Sequence, residues 1–177
     1  VNVTTAEELE NYLSNREIDT IYLPSNFVST TDNLIIDRPV TIIGSGATLS
    51  NKVTITGDNV VVKDIKLTEN LVVTGANVVL DEVTMLNVNS AGTDKGNGYQ
   101  VIKVETDGDF AIKNSVIDNT NSTGVFYNAI YVSAKGKVEI EKNKFINIEN
   151  VYNIIEFSLK TPTSTGTTIR GNEFIGM

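Results

Sequence analysis

The sequence predicts an all-β protein built as a parallel solenoid with one helix at its start, and three observations lead there. The first is an internal repeat. "VTITGDNVVVKDIKLTEN" (Val53 to Asn70) is followed at once by "LVVTGANVVLDEVTMLNV" (Leu71 to Val88), and the two match at Val53/Leu71, Gly57/Gly75, Asn59/Asn77, Val60/Val78, Ile65/Val83 and Leu67/Met85. The second is a longer repeat, in which "AIKNSVID", "IEKNKFIN" and "IRGNEFIG" set Asn114, Asn143 and Asn172 29 residues apart. The third is the texture of the chain after its first residues: short Val/Ile/Leu/Thr runs of period two, broken by Gly, Asn and Asp. A unit holding about three strands and three bends is too small to bury its own apolar face, and does so only by stacking on its copies.

The elements follow in order. Thr5 with Glu8 forms a capping box, Ala6, Leu9 and Leu13 fall on one face at helical spacing, and Asn15 is the stop. Residues 1–15 are thus a cap and residues 20–177 the stacked coils of a single domain. "TIYLP", "NLIID", "PVTIIG", "VTITG", "NVVVKD" and "LVVTG" read as strands. Coils about 4.8 Å apart place Val53 on Leu71, Val60 on Val78 and Asn114 on Asn143, each hydrogen-bonded to the next in parallel. "YQVIKV", "YNAIYV" and "YNIIEF" begin at Tyr99, Tyr127 and Tyr152 and precede the three asparagines by 15, 16 and 20 residues. The extra length falls in bends such as "KTPTSTG" (Lys160 to Gly166), where a solenoid admits insertions.

Composition excludes several functions. The hydrophobic share of 40% argues against disorder. A net charge of -8 disfavours nucleic acid and anionic membrane, which need a basic face. No apolar run approaches the roughly 20 residues of a bilayer-crossing helix. Without cysteine there is neither disulfide nor thiolate metal site, and without histidine the commonest general base and the serine-type triad are missing. The three arginines, Arg16, Arg38 and Arg170, are scattered. The start at Val1 suggests a processed product or a piece of a longer chain. "TTIRGNEFIGM" stops mid-coil, which predicts that further coils, an adjoining domain or a self-associating subunit covers that end.

The "I-x-x-N-x-F" rungs and the "RPVTIIGSGATL" stretch (Arg38 to Leu49) resemble right-handed parallel β-helices of the pectin-lyase-like superfamily, and the helix followed by "TIYLP" resembles that family's N-terminal cap. The resemblance covers essentially the whole chain. It implies a right-handed single-stranded parallel β-helix of about seven coils and an inward ladder of Asn114, Asn143 and Asn172. It says little about function, because the superfamily includes lyases, hydrolases, phage tailspikes and non-catalytic surface modules.

Strand alternation sets Ile102/Val104, Ile130/Val132 and Ile155/Phe157 inward, with Gln100, Asn128 and Asn153 at the edge of the interior. Tyr99/Val101/Lys103, Tyr127/Ala129/Tyr131 and Tyr152/Ile154/Glu156 then face outward. The three first-named tyrosines could stack on sugar rings or pack beneath neighbouring loops, and packing is the preferred reading. Lys103, Tyr131 and Glu156, with Tyr127 beside them, are the candidate glycan-binding residues on this sheet, where enzymes of the family usually carry their active sites. Lys103 could act as base and Tyr131 as acid of a lyase, but Glu156 would repel an acidic polysaccharide. No aspartate pair of the kind glycosidases use falls there. No catalytic residue is assigned. Asp94, Asp107 and Asp109 lie in Gly-rich bends where calcium ligation is conceivable, although Asp-Gly bends are ordinary turn chemistry, and no metal or cofactor is assigned.

The expectation is therefore a non-catalytic structural, display or adhesion module of an extracellular protein, on a bacterial cell surface or in a phage virion, with a polysaccharide or cell-surface glycan as its weak ligand. The alternative is a polysaccharide lyase or phage depolymerase acting on acidic glycans.

Overall fold

The computed structural model describes residues 1–29, 33–88, 100–122, 126–148, 153–158 and 166–176. Helix α1 spans Ala6–Ser14. The Glu8 N–H donates to the Thr5 hydroxyl at 3.2 Å, and the Glu8 carboxylate accepts the N–H groups of Thr5 at 3.2 Å and Thr4 at 2.7 Å. These bonds satisfy backbone donors that a helix start leaves open. Leu9 and Leu13 are buried and Ala6 is half-buried, so the predicted apolar face is the one that packs.

Among the described residues every strand pairing is parallel. Strands β1 (Thr20–Tyr22), β2 (Val28–Ser29), β3 (Asn33–Ile36) and β4 (Val40–Leu49) lead into β5 (Lys52–Ile55) and β6 (Val60–Leu67). Three-strand layers follow: β7 (Leu71–Val73), β8 (Val78–Asp81) and β9 (Thr84–Leu86), then β10 (Gln100–Thr106), β11 (Phe110–Lys113) and β12 (Val116–Asp118). The next holds β13 (Asn128–Ala134), β14 (Lys137–Glu141) and β15 (Lys144–Ile146), and the last β16 (Asn153–Phe157), β17 (Gly166–Arg170) and β18 (Glu173–Ile175). The first strands of the layers join β3 and β5 in a six-stranded sheet, and the second and third strands join β1, β2, β4 and β6 in a twelve-stranded one. All six stretches read as strands from the sequence lie in β1 and β3 to β7.

The repeat fixes the register. Val53 lies opposite Leu71 and Val61 opposite Val79, the predicted step of 18. Later steps are longer: Val78 to Phe110 is 32 residues, Phe110 to Val138 is 28, and Val138 to Thr167 is 29. Inward positions make one apolar core. Val78, Phe110 and Val138 form one buried column, Leu80, Ile112 and Ile140 a second, and Met85, Ile117 and Phe145 a third.

From β6 onward the same left-handed bend recurs from layer to layer. Asp64, Glu82, Asn114 and Lys142 occupy it with φ of 52, 56, 51 and 56°, and Gly171 continues the column at 64°. Left-handed backbone costs roughly 1–2 kcal/mol for an ordinary side chain, so stacking on the neighbouring layers must hold Glu82 and Lys142 there. A second bend explains the shared glycine of the 18-residue repeat. A Cβ on Gly75 would lie 2.0 Å from the Gly57 carbonyl oxygen, so that approach requires glycine.

Two expectations are corrected. Asn114 does not stack on Asn143. Lys113 pairs with Glu141 and Val116 with Lys144, a step of 28, so Asn114 stands opposite Lys142 in the left-handed column and Ser115 stands opposite Asn143. Asn114 is exposed and donates from Nδ2 to Asp81 Oδ1 at 2.8 Å. Both positions suit a short polar residue, and the one-residue difference between a step of 28 and a step of 29 exchanges them. The second correction concerns Val101 and Ala129. They are fully buried rather than exposed, so the outer side of the six-stranded sheet is covered at these two positions.

Candidate functional site

The outward column of the six-stranded sheet runs Ile35, Thr54, Val72, Lys103, Tyr131, Glu156. Lys103, Tyr131 and Glu156 are adjacent, in the register expected of them. Their environment is not that of an open groove. The Lys103 side chain is only 14% exposed and pairs with Glu105 Oε2 at 3.0 Å. Tyr131 and Glu156 are half-buried, and Glu156 Oε2 accepts Asn153 Nδ2 at 3.1 Å. Tyr127 is 36% exposed one residue before β13. Tyr99, Tyr152 and Asp94 lie outside the described residues. Of the edge residues, Asn128 is buried, Gln100 half-buried and Asn153 exposed. Ile155 and Phe157, read as interior, are half-buried in the last layer, against the core.

The carboxylates in the bends are engaged from layer to layer. Asp107 pairs with Lys135 at 2.7 Å, and Asp109 Oδ1 accepts the Lys137 N–H at 2.7 Å. Among the described residues no three His, Cys, Asp or Glu side chains gather as a metal cage would require.

The charged side chains that the sequence left unassigned lie on the other sheet. One outward column reads Lys63, Asp81, Lys113, Glu141, Arg170, alternating in sign at every layer. Lys63 reaches Asp81 at 3.2 Å and Arg170 Nε reaches Glu141 at 3.1 Å. In the next outward column Glu139 sits between Lys113 and Lys137, and their hydrogen bonds, Lys113 first, hold its carboxyl down to about 2. Beside this face is a cavity of about 190 Å³ lined by Asn77, Val79, Asp109, Lys137 and Glu139 among others.

The buried polar ladder consists of Ser115, Asn143 and Asn172. The Val83 N–H donates to Ser115 Oγ at 3.0 Å, the Ser115 N–H to Asn143 Oδ1 at 2.9 Å, and the Asn143 N–H to Asn172 Oδ1 at 2.9 Å. Each of these side chains satisfies a backbone group that would otherwise be buried unpaired. Asn143→Ala should therefore cost about 2–3 kcal/mol, measured by denaturant unfolding, while Asn114→Gly should leave stability within about 0.5 kcal/mol. Equal losses would return Asn114 to the ladder.

Arg38, unassigned from sequence, is 3% exposed and has no carboxylate partner in its bonding set. Its guanidinium donates to the carbonyls of Leu13 at 2.6 Å, Tyr12 at 2.7 Å, Ile18 at 2.7 Å and Pro39 at 3.0 Å. Tyr12 and Leu13 belong to the last turn of α1, where the Tyr12 carbonyl also accepts the Asn15 N–H at 3.2 Å and the helix dipole favours a cation. The sequence signal was a lone arginine before a proline at the head of an apolar strand. A groove of about 560 Å³ lies alongside, between the end of α1 and β3.

Comparison with known proteins finds no family model, no curated relative and no solved structure that matches this chain.

Proposed function

We propose that the chain is a right-handed single-stranded parallel β-helix of about seven coils, of the pectin-lyase-like type. Its function on this reading is non-catalytic structural display or adhesion, in an extracellular bacterial surface or phage virion protein. One observation carries the reading. The side chains best suited to chemistry are committed to joining one layer to the next: Lys63 to Asp81, Lys113 to Glu139, Arg170 to Glu141, and Ser115 and Asn143 to buried backbone. A rigid strut uses its polar groups in this way, whereas an active site holds them ready for a substrate. The Lys103–Tyr131–Glu156 column, with Tyr127 nearby, is where a weakly bound surface glycan would rest.

Assays for unsaturated product and for new reducing ends, over a panel of uronate polymers, should show no turnover. Turnover abolished by Lys103→Ala or Tyr131→Phe would replace this reading with a polysaccharide lyase or depolymerase.

A further inference from the structure

The six-stranded sheet begins at β3, which pairs with β5 and with no other strand among the described residues. The Ile36 carbonyl accepts the Thr56 N–H at 2.9 Å, so Leu34 and Ile36 direct their backbone groups at β5. Alternation along a strand then turns the N–H and C=O of Ile35 to the opposite edge. Among the described residues no hydrogen bond reaches them there. The Ile35 side chain is itself 53% exposed.

This vacancy is internal to the chain. β1 pairs beneath β4, Asn2 pairs beneath Tyr22 of β1, and α1 lies between Asn2 and β1 in the sequence. Helix α1 therefore occupies the level at which a strand beneath β3 would run, and Arg38 ties it there through the Tyr12 and Leu13 carbonyls. A helix spends its backbone groups on itself, so α1 covers the core with Leu9 and Leu13 yet offers β3 no ladder. A segment upstream of Val1 would enter one level further down, beside Tyr22 on the twelve-stranded sheet, with α1 between it and β3. The groove of about 560 Å³ has Glu10, Ser14 and Arg16 on its helix wall and Asn33, Ile35 and Asp37 on its strand wall. That size is typical of clefts that enclose a ligand.

Charge indicates what fits. Glu10 and Asp37 are exposed and form no ion pair among the described residues. Residues 1–38 hold seven Asp and Glu against Arg16 and Arg38, a net -5 of the chain's -8. The Arg38 charge is turned onto backbone carbonyls. We propose that the β3 edge is a docking site for an extended cationic segment of another polypeptide, which pairs with Ile35 as a further strand and sets Lys or Arg against Glu10 and Asp37. Main-chain bonds supply the affinity of such a strand addition, and complementary charge selects the partner. A second copy of this acidic chain is disfavoured by the same field.

The probe is a fluorescent, end-blocked peptide, Lys-Val-Lys-Val-Lys, titrated with the full chain and followed by anisotropy. Binding should saturate and should weaken as salt rises. Methylating the amide nitrogens along one edge of the peptide keeps its charge but blocks pairing, and should weaken binding about tenfold. Ile35→Pro removes the N–H at the free edge, where proline is tolerated, and leaves Leu34 and Ile36 paired with β5. With an intact melting curve this variant should lose a similar factor, whereas Ile35→Val should bind as the parent chain does. Glu10→Gln combined with Asp37→Asn should weaken binding about threefold and flatten its salt dependence. Absence of saturable binding, equal affinity of the methylated peptide, or equal affinity of Glu-Val-Glu-Val-Glu would overturn the proposal. So would self-association through this edge in sedimentation, or loss of binding in a longer parent chain whose residues before Val1 cover β3.

Discussion

Phe145→Ala is expected to lower unfolding free energy by about 3–5 kcal/mol. The ring is fully buried, with Ile117 beneath it in the stack and the Phe174 ring above it. Removing it discards the transfer energy of an aromatic side chain and the stacking contact, and leaves a cavity between two layers. Collapse to fill that cavity is restricted, because parallel hydrogen bonds on both sides hold the layers at their spacing. Phe174→Ala, at a ring 49% exposed, should cost clearly less. Denaturant midpoints at constant slope measure both, and comparable losses would mean that the last layer is buried in solution.

Arg38→Met is expected to cost roughly 3 kcal/mol or more and to release the cap. Methionine matches much of the side chain's length but donates no hydrogen bond, so the Tyr12, Leu13 and Ile18 carbonyls lose the partner they share. The Tyr12 and Leu13 carbonyls lie in the last turn of α1, and an unsatisfied helix end is costly to keep buried. With the helix loosened, Leu9 and Leu13 no longer seal the apolar interior beneath them, and the exposed end favours association. The measurement is thermal unfolding combined with light scattering. Arg38→Lys should recover only part of the loss, since an ammonium cannot span the carbonyls that the planar fork reaches. A variant as stable and monodisperse as the parent chain would show that α1 is held by its apolar face alone.

The strands were legible because their signal is local. Period-two alternation and Gly/Asn/Asp bends mark β1 and β3 to β7, and the matched pair at Val53 and Leu71 sets the first register directly. The helix was equally plain, since its capping box and its Leu9–Leu13 face are complete within ten residues. The Lys103, Tyr131 and Glu156 alignment followed from the same alternation. Less of the site's environment could be read. That Val101 and Ala129 are buried lay beyond alternation, which set them outward with Lys103 and Tyr131.

The sequence by itself determined that this chain stacks short parallel strands behind a helical cap, because an 18-residue repeat too small for a core of its own has only its copies to bury against. Tertiary structure alone decided which polar residues turn inward. Asn114 and Ser115 are chemically similar neighbours, and a step of 28 rather than 29 residues sends the serine to the ladder and the asparagine to the left-handed bend. It also decided the use of Arg38, whose carbonyl partners in α1 lie 25 and 26 residues earlier. Alternation constrains a side chain against its own strand, whereas these two outcomes depend on the length of the path that brings distant segments together, and that length is set by how the whole coil closes.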